Sequence, residues 1–441
     1  MKAMLLTFSF FACCTMVTAE TVFPYSYRQE TLANGLHVIL IPMPGGGLVT
    51  YWSVVRTGSR DEVEPGKSGF AHFFEHMMFR GTKKYPGPVY DRIATAMGAN
   101  SNAFTTDDFT AFHLTFAKES LATVVDIESD RFQNLHYGLE AFQTEAGAVY
   151  GEYRKDQTQP LFLLEEKLRN TAFDVHTYKH TTMGFEADVR DMPKAYDYSL
   201  TFFRRFYRPE NVVLVIAGDI EPAATLDLIR KYYRSWPRGY AAAKVSREPP
   251  PAGERRLEVT YPGQTLPVLD LAYRGEAFDP ADRGYVAARL LAALAFGETS
   301  DAFKKLVLDE QKAESLSADV PINRDAALFE VVAVVKRAED LDAVRKGLEQ
   351  AIRRFQTWPV DADQLARVKR HAKYAFLMEL DTPSKVVSAI LPFVAVTGGI
   401  EALDRMYAEA EQVMPEEIMA AARKYFDPKR RTIAVLKGTQ P

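Results

Sequence analysis

Cysteine is nearly absent from this chain of 441 residues: its two copies, Cys13 and Cys14, stand side by side close to the N-terminus. If that segment is removed from the mature protein, disulfides, cysteine zinc clusters and thiol nucleophiles are all excluded. A strong charge of either sign is also lacking, because the net charge is only −4 and the chain has no long basic block. We therefore expect no nucleic-acid partner. Hydrophobic residues make up 47% and charged residues 25%, as in soluble globular proteins.

A hydrophobic run long enough for a comfortable membrane span is missing as well. The apolar run at residues 3–17 follows Met1-Lys2 and leads into small residues up to Ala19. A charged start, a short apolar segment and small residues before a cut are typical of a secretory signal peptide. We expect cleavage after Ala19 and a periplasmic or secreted protein. A lipoprotein anchored through Cys13 is the alternative, but Phe10 is a poor residue three positions before such a cysteine.

The mature chain is predicted to consist of two similar halves. Strand and helix patterns between residues 30 and 236 recur in similar order beyond a polar, proline-rich stretch at residues 248–254. Proline stiffens and extends such a stretch, which is typical of a linker. We expect a signal peptide at residues 1–19, a metal-binding catalytic domain at 20–240, a linker at 241–255 and a second domain without the metal motif at 256–441. The predicted fold class is α+β, in which each half has a mainly antiparallel sheet with helices packed on it.

The stretch His72-Phe73-Phe74-Glu75-His76 carries a candidate metal site. On a helix, His72 and His76 lie one turn apart, and Glu75 shares their side. The apolar residues around them follow helical spacing on the other side. Two imidazoles are suitable zinc ligands, and a carboxylate beside them can take a proton from water. The order His-x-x-Glu-His is the inverted form of the common zinc-protease motif, so it predicts a hydrolase that binds Zn²⁺. A pair of half-buried core histidines is the structural alternative.

Two histidines leave a catalytic zinc ion one protein ligand short of the usual three. The residues alone leave the third ligand open among nearby carboxylates: Asp107, Asp108, Glu128, Glu145 and Glu152. The last two lie on a long helix that we predict over residues 140–169. Other histidines are weaker candidates: His113 belongs to a predicted strand, and His176 and His180 are four apart but have no carboxylate between them.

Residues 72–82 closely resemble the motif of the pitrilysin-type (M16) zinc metallopeptidases, a family that includes insulin-degrading enzyme and the mitochondrial processing peptidase. Residues 98–106 resemble the family's segment beside the metal helix, and residues 207–211 resemble the end of its first domain. The resemblance covers nearly the whole mature chain and is strongest from Gly35 to Gly218. It implies an endopeptidase with one Zn²⁺ per chain that cleaves peptides or unfolded segments.

The resemblance also implies roles for particular residues. The family's third ligand lies about 76 residues past its second histidine, which selects Glu152 to join His72 and His76 as metal ligands. The family also has a glutamate seven residues before that ligand, and Glu145 occupies this position, two helical turns from Glu152.

The catalytic residues implied by the resemblance are Glu75, as general base, and Glu145, which positions the site. An asparagine that holds substrate backbone in the family matches Asn102. Its neighbours Ala103 and Phe104 complete the predicted substrate-binding segment.

The second half departs from the family pattern at two positions. Active members carry an arginine there and, seven residues on, a tyrosine, and both reach the substrate across a chamber. In this chain Val307 replaces the arginine and Glu314 replaces the tyrosine. Valine offers no hydrogen bond, and glutamate would repel the oxyanion that the tyrosine stabilises. We therefore expect a heterodimer with a related, metal-free partner subunit that supplies the Arg/Tyr pair. A homodimer that functions without the pair is the alternative.

Two functions without catalysis remain as alternatives. One is a non-catalytic assembly or core subunit of the same fold, as found in respiratory complexes, and the other is a subunit that binds peptides without cutting them. The complete metal motif argues against the first, since such subunits usually have a broken one.

Overall fold

The computed structural model describes residues 21–440, so the predicted signal peptide at residues 1–19 lies outside the described residues. The first half contains one six-stranded sheet with strand order β1-β2-β6-β3-β5-β4. Strands β2 and β6 pair in parallel, and the other neighbours pair antiparallel. The strands are β1 (Arg28–Thr31), β2 (His37–Pro42), β3 (Leu48–Val55), β4 (Asn100–Thr105), β5 (Thr110–Ala117) and β6 (Val212–Gly218).

Both faces of this sheet are covered, which explains why its central strands read as continuous apolar runs. In β2, Val38 and Leu40 pack into the core of the first half, whereas Ile39 and Ile41 point to the opposite face. That opposite face shares one apolar cluster with the second half. The halves therefore pack against each other through the first sheet.

The helices of the first half lie mainly on one face of this sheet. The long helix predicted over residues 140–169 is in fact two helices, α4 and α5, because Pro160 has no backbone N–H and starts a new helix. The helices are α1 (Phe70–Met77), α2 (Gly87–Ala96), α3 (Leu121–Asn134), α4 (Leu139–Asp156), α5 (Pro160–Ala172), α6 (Glu186–Asp191), α7 (Tyr196–Phe206) and α8 (Pro222–Tyr233).

The second half contains a five-stranded sheet with strand order β7-β11-β8-β10-β9. Its one parallel pair is β7 with β11. The sheet is formed by β7 (Arg255–Gln264), β8 (Val268–Arg274), β9 (Ala313–Asp319), β10 (Leu328–Val335) and β11 (Arg431–Gln440). Its helices are α9 (Arg283–Phe296), α10 (Asp301–Phe303), α11 (Leu341–Thr357), α12 (Ala362–Met378), α13 (Pro383–Thr397), α14 (Glu401–Gln412) and α15 (Pro415–Tyr425).

The α+β fold class with two similar halves is confirmed. Residues 241–254, which make up most of the predicted linker, contain no helix or strand. The domain boundaries as such stay a prediction. Within residues 21–440, no single helix is both long and apolar enough to cross a membrane. Helices α13 and α14 meet that criterion only as a pair, across a bend of 97°.

Candidate metal centre

Helix α1 presents the histidines of the motif because its apolar residues are buried on the other side. Phe70, Phe73, Phe74 and Met77 are all at most 1% exposed. The ring of Phe73 contacts Phe142 of α4, with 5.1 Å between the ring centroids. This packing holds α1 against the helix that carries the two candidate glutamates.

The structure brings His72, His76 and Glu152 together. Nε2 of His76 lies 3.2 Å from Oε2 of Glu152, and Nε2 of His72 lies 3.8 Å from the same oxygen. One ligand atom from each residue lies within 4.8 Å of the others. A tetrahedral zinc ion with bonds of about 2.1 Å would separate neighbouring ligand atoms by roughly 3.4 Å. The donor set and its spacing therefore fit zinc.

The protonation of His72 also suits a metal ligand. Burial, helped by the nearby charge of His76, lowers the pKa of His72 to about 4. The imidazole is therefore neutral at pH 7, which is the form that binds a metal ion.

Glu145 lies behind His76 and is not among the grouped ligand atoms. Its Oε1 is 2.9 Å from Nδ1 of His76, and its Oε2 accepts from the guanidinium of Arg80. Burial opposes ionisation of Glu145, but its hydrogen bonds with His76 and Arg80 lower its pKa overall. A neutral His76 that donates from Nδ1 to Glu145 keeps the lone pair of Nε2 directed to the side of Glu152. Contacts of this kind orient metal-binding histidines.

Sequence reasoning missed Arg80, although a signal was present. It stands four residues after His76, at the spacing that places two side chains on one helix side. It approaches the carboxylate of Glu145 and so completes a chain of contacts from Arg80 through Glu145 to His76.

Glu75 lies on the same side of α1 as the two histidines and contacts strand β4. The hydroxyl of Thr105 donates to Oε2 of Glu75 at 2.7 Å. Burial raises the pKa of Glu75, while the hydrogen bond from Thr105 and the charge of His76 oppose the rise. A carboxyl whose pKa is raised towards neutrality is a more effective general base. Thr105 was missed from sequence, although it directly follows the predicted substrate-binding segment.

The predicted substrate-binding residues Asn102, Ala103 and Phe104 all lie on β4. This strand pairs with β5 on one side and is the edge of its sheet in the part of the chain that the structure describes. Its outer side pairs with no strand in the described chain, although the N–H of Ala103 donates to Oδ1 of Asn102 at 2.9 Å, and Thr105 at its end touches Glu75. Asn102 is exposed, Ala103 is buried, and Phe104 is half-buried against Trp52. The sheet edge therefore lies beside the candidate metal centre.

The other carboxylates considered as the third ligand form contacts elsewhere. Asp107 pairs with Arg169 at 2.9 Å, and Asp108 accepts from Tyr178 at 2.9 Å. Glu128 forms a buried pair with Arg131 at 2.6 Å. These contacts leave Glu152 as the carboxylate that meets both histidines.

The other three histidines considered as candidates have structural contacts. His113 stacks on Trp52 with 4.2 Å between the ring centroids, and Nε2 of His176 lies 3.0 Å from Asp325. Nδ1 of His180 lies 2.9 Å from the carbonyl oxygen of Thr181. Among residues 21–440, the group around His72 is the only set of three such side chains close enough to share a metal ion.

The two positions of the second half that depart from the family pattern have different surroundings. Val307 is half-buried against the apolar core, within a π-helix at Lys304–Asp309. Glu314 is exposed on β9, with Lys336 3.7 Å away. Between them, Gln311 is the one non-glycine residue in the described chain with a positive φ, at 51°. Neither position offers a side chain that can stabilise an oxyanion.

Comparison with protein families gives two matches. Residues 37–186 match the family model described as Insulinase (Peptidase family M16). Residues 196–371 match the model described as Peptidase M16 inactive domain. The two matches fall on the first half and on a segment that runs from α7 into α12 of the second half.

Several curated proteins are similar over most of the chain. The zinc protease PqqE of Helicobacter pylori is 24% identical over 432 residues, which cover 95% of this chain and 94% of that protein. The mitochondrial-processing peptidase subunit beta of Neurospora crassa is 23% identical, with coverage of 90% and 85%. The bovine cytochrome b-c1 complex subunit 1 is 29% identical over 180 residues, which cover 41% of this chain and 37% of that protein.

The fold agrees with a solved structure. The crystal structure of a protease from Helicobacter pylori superposes with a TM-score of 0.87 at 24% identity, and the match covers 94% of this chain and 99% of that one. The family resemblance predicted from residues 72–82 is confirmed, and this chain belongs to peptidase family M16.

Proposed function

We propose that this protein is a zinc-dependent endopeptidase that cleaves peptides or unfolded segments. The observation that carries the proposal is the grouping of His72, His76 and Glu152, with the carboxylate of Glu75 on the same side of α1. If the two histidines only packed in the core, they would not need a carboxylate from another helix beside them. The similarity to proteins named zinc proteases supports the same function.

The chemistry divides between the metal ion and the chain. Zinc held by the three ligands would supply a Lewis acid, which lowers the pKa of water and polarises a peptide carbonyl. Glu75 takes the proton of the attacking water and then delivers it to the leaving nitrogen. Thr105 holds Oε2 of Glu75, while Oε1 has no hydrogen bond within the described chain and is free for proton transfer. Glu145 keeps His76 in the tautomer that binds metal.

The position of β4 supports a proposal for the form of the substrate. An extended peptide that adds to the free edge of β4 forms backbone hydrogen bonds that do not depend on its sequence. Its peptide bonds would pass the carboxylate of Glu75, because Thr105 of β4 is bonded to it. A folded protein cannot present such a strand, so we expect peptides and unfolded segments to be cleaved.

The chain is proposed to be the metal-bearing subunit of a heterodimer in the periplasm or outside the cell. Val307 is half-buried against the core and Glu314 is acidic, so these two positions cannot supply the Arg/Tyr pair. A related, metal-free subunit would supply it. The name of one relative as the subunit beta of a processing peptidase supports a divided enzyme.

Peptide cleavage by the purified chain tests this proposal. A mixture of unstructured peptides is incubated with the chain alone, and with the chain plus a related protein encoded by a neighbouring gene. We expect one zinc ion per chain, cleavage only with the partner, loss of cleavage with a chelator and recovery with added Zn²⁺. Metal-free protein would overturn the zinc assignment, and full activity of the lone chain would overturn the heterodimer. Zinc binding without cleavage in either mixture would favour the non-catalytic alternative.

A further inference from the structure

Glu62 is a buried carboxylate with no part in the chemistry proposed above. It lies in the loop between β3 and α1 and is 4% exposed. Its Oε2 accepts from the backbone N–H of Gly69 at 2.7 Å, and its Oε1 accepts from the N–H of Ala71 at 2.6 Å. The imidazole of His180 lies nearby, with its Nδ1 3.9 Å from Oε2 of Glu62, and burial lowers the pKa of His180, which favours its neutral form. Both oxygens of Glu62 are therefore directed at the start of the histidine-bearing helix.

The start of α1 needs an acceptor from elsewhere in the chain. The first N–H groups of any helix lack partners within the helix, and the side chain of the N-cap residue usually accepts from one of them. Here the N-cap is Gly69, which has no side chain and a φ of 91°. A Cβ atom at this position would lie 2.7 Å from the carbonyl oxygen of Met183, so a serine or aspartate cap does not fit. Glu62, seven residues upstream, takes over the capping.

This cap lies next to a candidate metal ligand, so we expect it to affect metal binding. Ala71 directly precedes His72, so the hydrogen bond to Glu62 restrains the backbone one residue before this ligand. Helix α1 has only eight residues, which places His72 in its first turn and His76 in its last. A short helix frays easily from an uncapped end, and fraying would move His72 away from His76.

The surroundings of Glu62 act on its ionisation in opposite directions. Burial raises its pKa well above the usual value, and the charges of Asp61 and Asp188 add to the rise, while the N–H groups of Ala71 and Gly69 oppose it because they favour the carboxylate. A negative charge at a helix N-terminus also interacts favourably with the helix dipole.

We propose that Glu62 is a positioning residue that holds His72 in ligand geometry by capping α1. The inference rests on the proposed zinc site, and it adds that the affinity of this site is set from the loop that precedes the motif. The competing view is that Glu62 contributes to folding in general and has no particular effect on metal binding.

The affinity for zinc of matched variants distinguishes these views. In Glu62→Gln the amide oxygen can accept one N–H, but its NH₂ group meets the other N–H as a second donor. The control is Glu64→Gln in the same loop, where Glu64 accepts from Arg205 at 2.6 Å and from Tyr198 at 3.0 Å without touching α1. We measure the zinc dissociation constant by chelator competition, the absorption spectrum with Co²⁺ and the unfolding temperature of the metal-free protein.

We expect Glu62→Gln to weaken zinc binding by about 10–100-fold and to alter the Co²⁺ spectrum, as is typical when a residue that supports a ligand is changed. Glu64→Gln should bind zinc like the original protein, even if it unfolds at a lower temperature. Glu62→Asp keeps the charge but cannot reach both N–H groups, and it provides the same test if the glutamine variant does not fold.

Equal zinc affinity in the original protein and in both Glu62 variants would overturn the inference. So would an equal loss of affinity in Glu64→Gln, because the effect would then follow stability alone. Absence of zinc binding in the original protein would overturn the proposed function together with this inference, and that outcome is distinct from the other two.

Discussion

The two halves of the molecule share one sheet topology and differ in the helix that precedes the edge hairpin. In the first sheet the order β2-β6-β3-β5-β4 matches β7-β11-β8-β10-β9 in the second, and the one parallel pair falls at the same place in both. Helix α1 lies between β3 and β4, and α9 lies at the matching position between β8 and β9. Helix α1 carries two histidines and a glutamate. Helix α9 has ten buried apolar residues and contains neither histidine nor glutamate.

This difference shows that the topology provides a place for a site but not the site itself. Helix α9 is buried nearly all around, so it contributes to the core and leaves no side for ligands. Helix α1 is apolar on one side only, and its other side meets Glu152. We therefore propose that the second half acts as a wall or as a surface for a partner. The following changes test this view of the two halves, beginning with the largest expected effect.

Removal of the proposed base in the first half should abolish most activity. In Glu75→Gln the amide cannot take a proton, so peptide hydrolysis should fall by about 10²–10⁴-fold. The metal ligands remain, so zinc content should not change. Cleavage rates and metal analysis check both statements, with Glu140→Gln on the exposed start of α4 as the control. Substantial activity of Glu75→Gln would remove the assigned base.

Loss of the contact behind His76 should have a smaller effect. Glu145→Gln replaces the carboxylate that accepts from Arg80 and lies 2.9 Å from Nδ1 of His76. We expect zinc affinity or kcat to fall by about 10–100-fold, since such contacts orient metal ligands. Chelator competition and steady-state kinetics measure the two quantities separately. If Glu145→Gln matches the Glu140→Gln control in both, Glu145 has no part in the site.

Two buried carboxylates, one in each half, differ in their partners. The buried Glu128 of the first half is paired with Arg131, but Oδ1 of Asp270 on β8 is buried without a hydrogen-bond partner in the described chain. Burial, followed by the charges of Glu330 and Glu165, raises the pKa of Asp270 well above its usual value. The folded state then holds a proton that the unfolded chain releases above about pH 4.

The sign of the pH dependence follows from this raised pKa. Stability should fall by up to about 1.4 kcal/mol per pH unit as the pH rises from about 4 towards the folded pKa of Asp270. Asp270→Asn cannot ionise, so we expect it to lose this dependence and to exceed the original protein in stability at pH 8. Urea unfolding at pH 5 and pH 8 measures the difference, with the exposed Asp309→Asn as control. An equal change in stability at both pH values would contradict the raised pKa.

The smallest effect is expected at Glu314, on the edge strand of the second half. In the proposed heterodimer this residue does not face a metal site, so Glu314→Gln should change hydrolysis by less than about twofold. In a homodimer Glu314 would approach the metal site of the other copy, and loss of its charge would speed the reaction. Cleavage rates of the chain with its partner decide between these arrangements. A large rise in rate would favour the homodimer.

The buried strands of the sheets could be predicted from sequence, but the edge strands could not. Strands β2, β3, β6, β8 and β10 are rich in β-branched and aromatic residues, which signal a buried strand. Strand β4 is small and polar, and β7 and β9 expose residues along their length. Strands β4 and β9 have little hydrophobic patterning, so no periodic signal marks them. Strand β7 does alternate between half-buried and exposed residues, with Leu257, Val259 and Tyr261 on one face, and this signal was missed. The strand that we propose to bind substrate was therefore visible only through the family resemblance.

At Pro160 the sequence pattern predicted more regular structure than is present, whereas at the edge strands it predicted less. The pattern over residues 140–169 is helical on both sides of the break, so it was interpreted as one helix. The missing N–H of Pro160 and the extended conformation of Gln159 separate α4 from α5. Both glutamates of interest lie on α4, so their relative placement was not affected.

The sequence by itself determined the local part of the candidate site. Helical periodicity places His72, Glu75 and His76 on one side, because residues three and four apart are neighbours on any helix. The residues alone left the third carboxylate open among several, and the family resemblance selected Glu152. Only the tertiary structure brings Glu152 to the histidines, since it belongs to another helix. The packing of α1 on α4 and the contact between Thr105 and Glu75 join residues that are distant along the chain, and the capping of α1 by Glu62 spans a loop. Contacts of this kind depend on how buried surfaces fit together, and no local pattern records that fit.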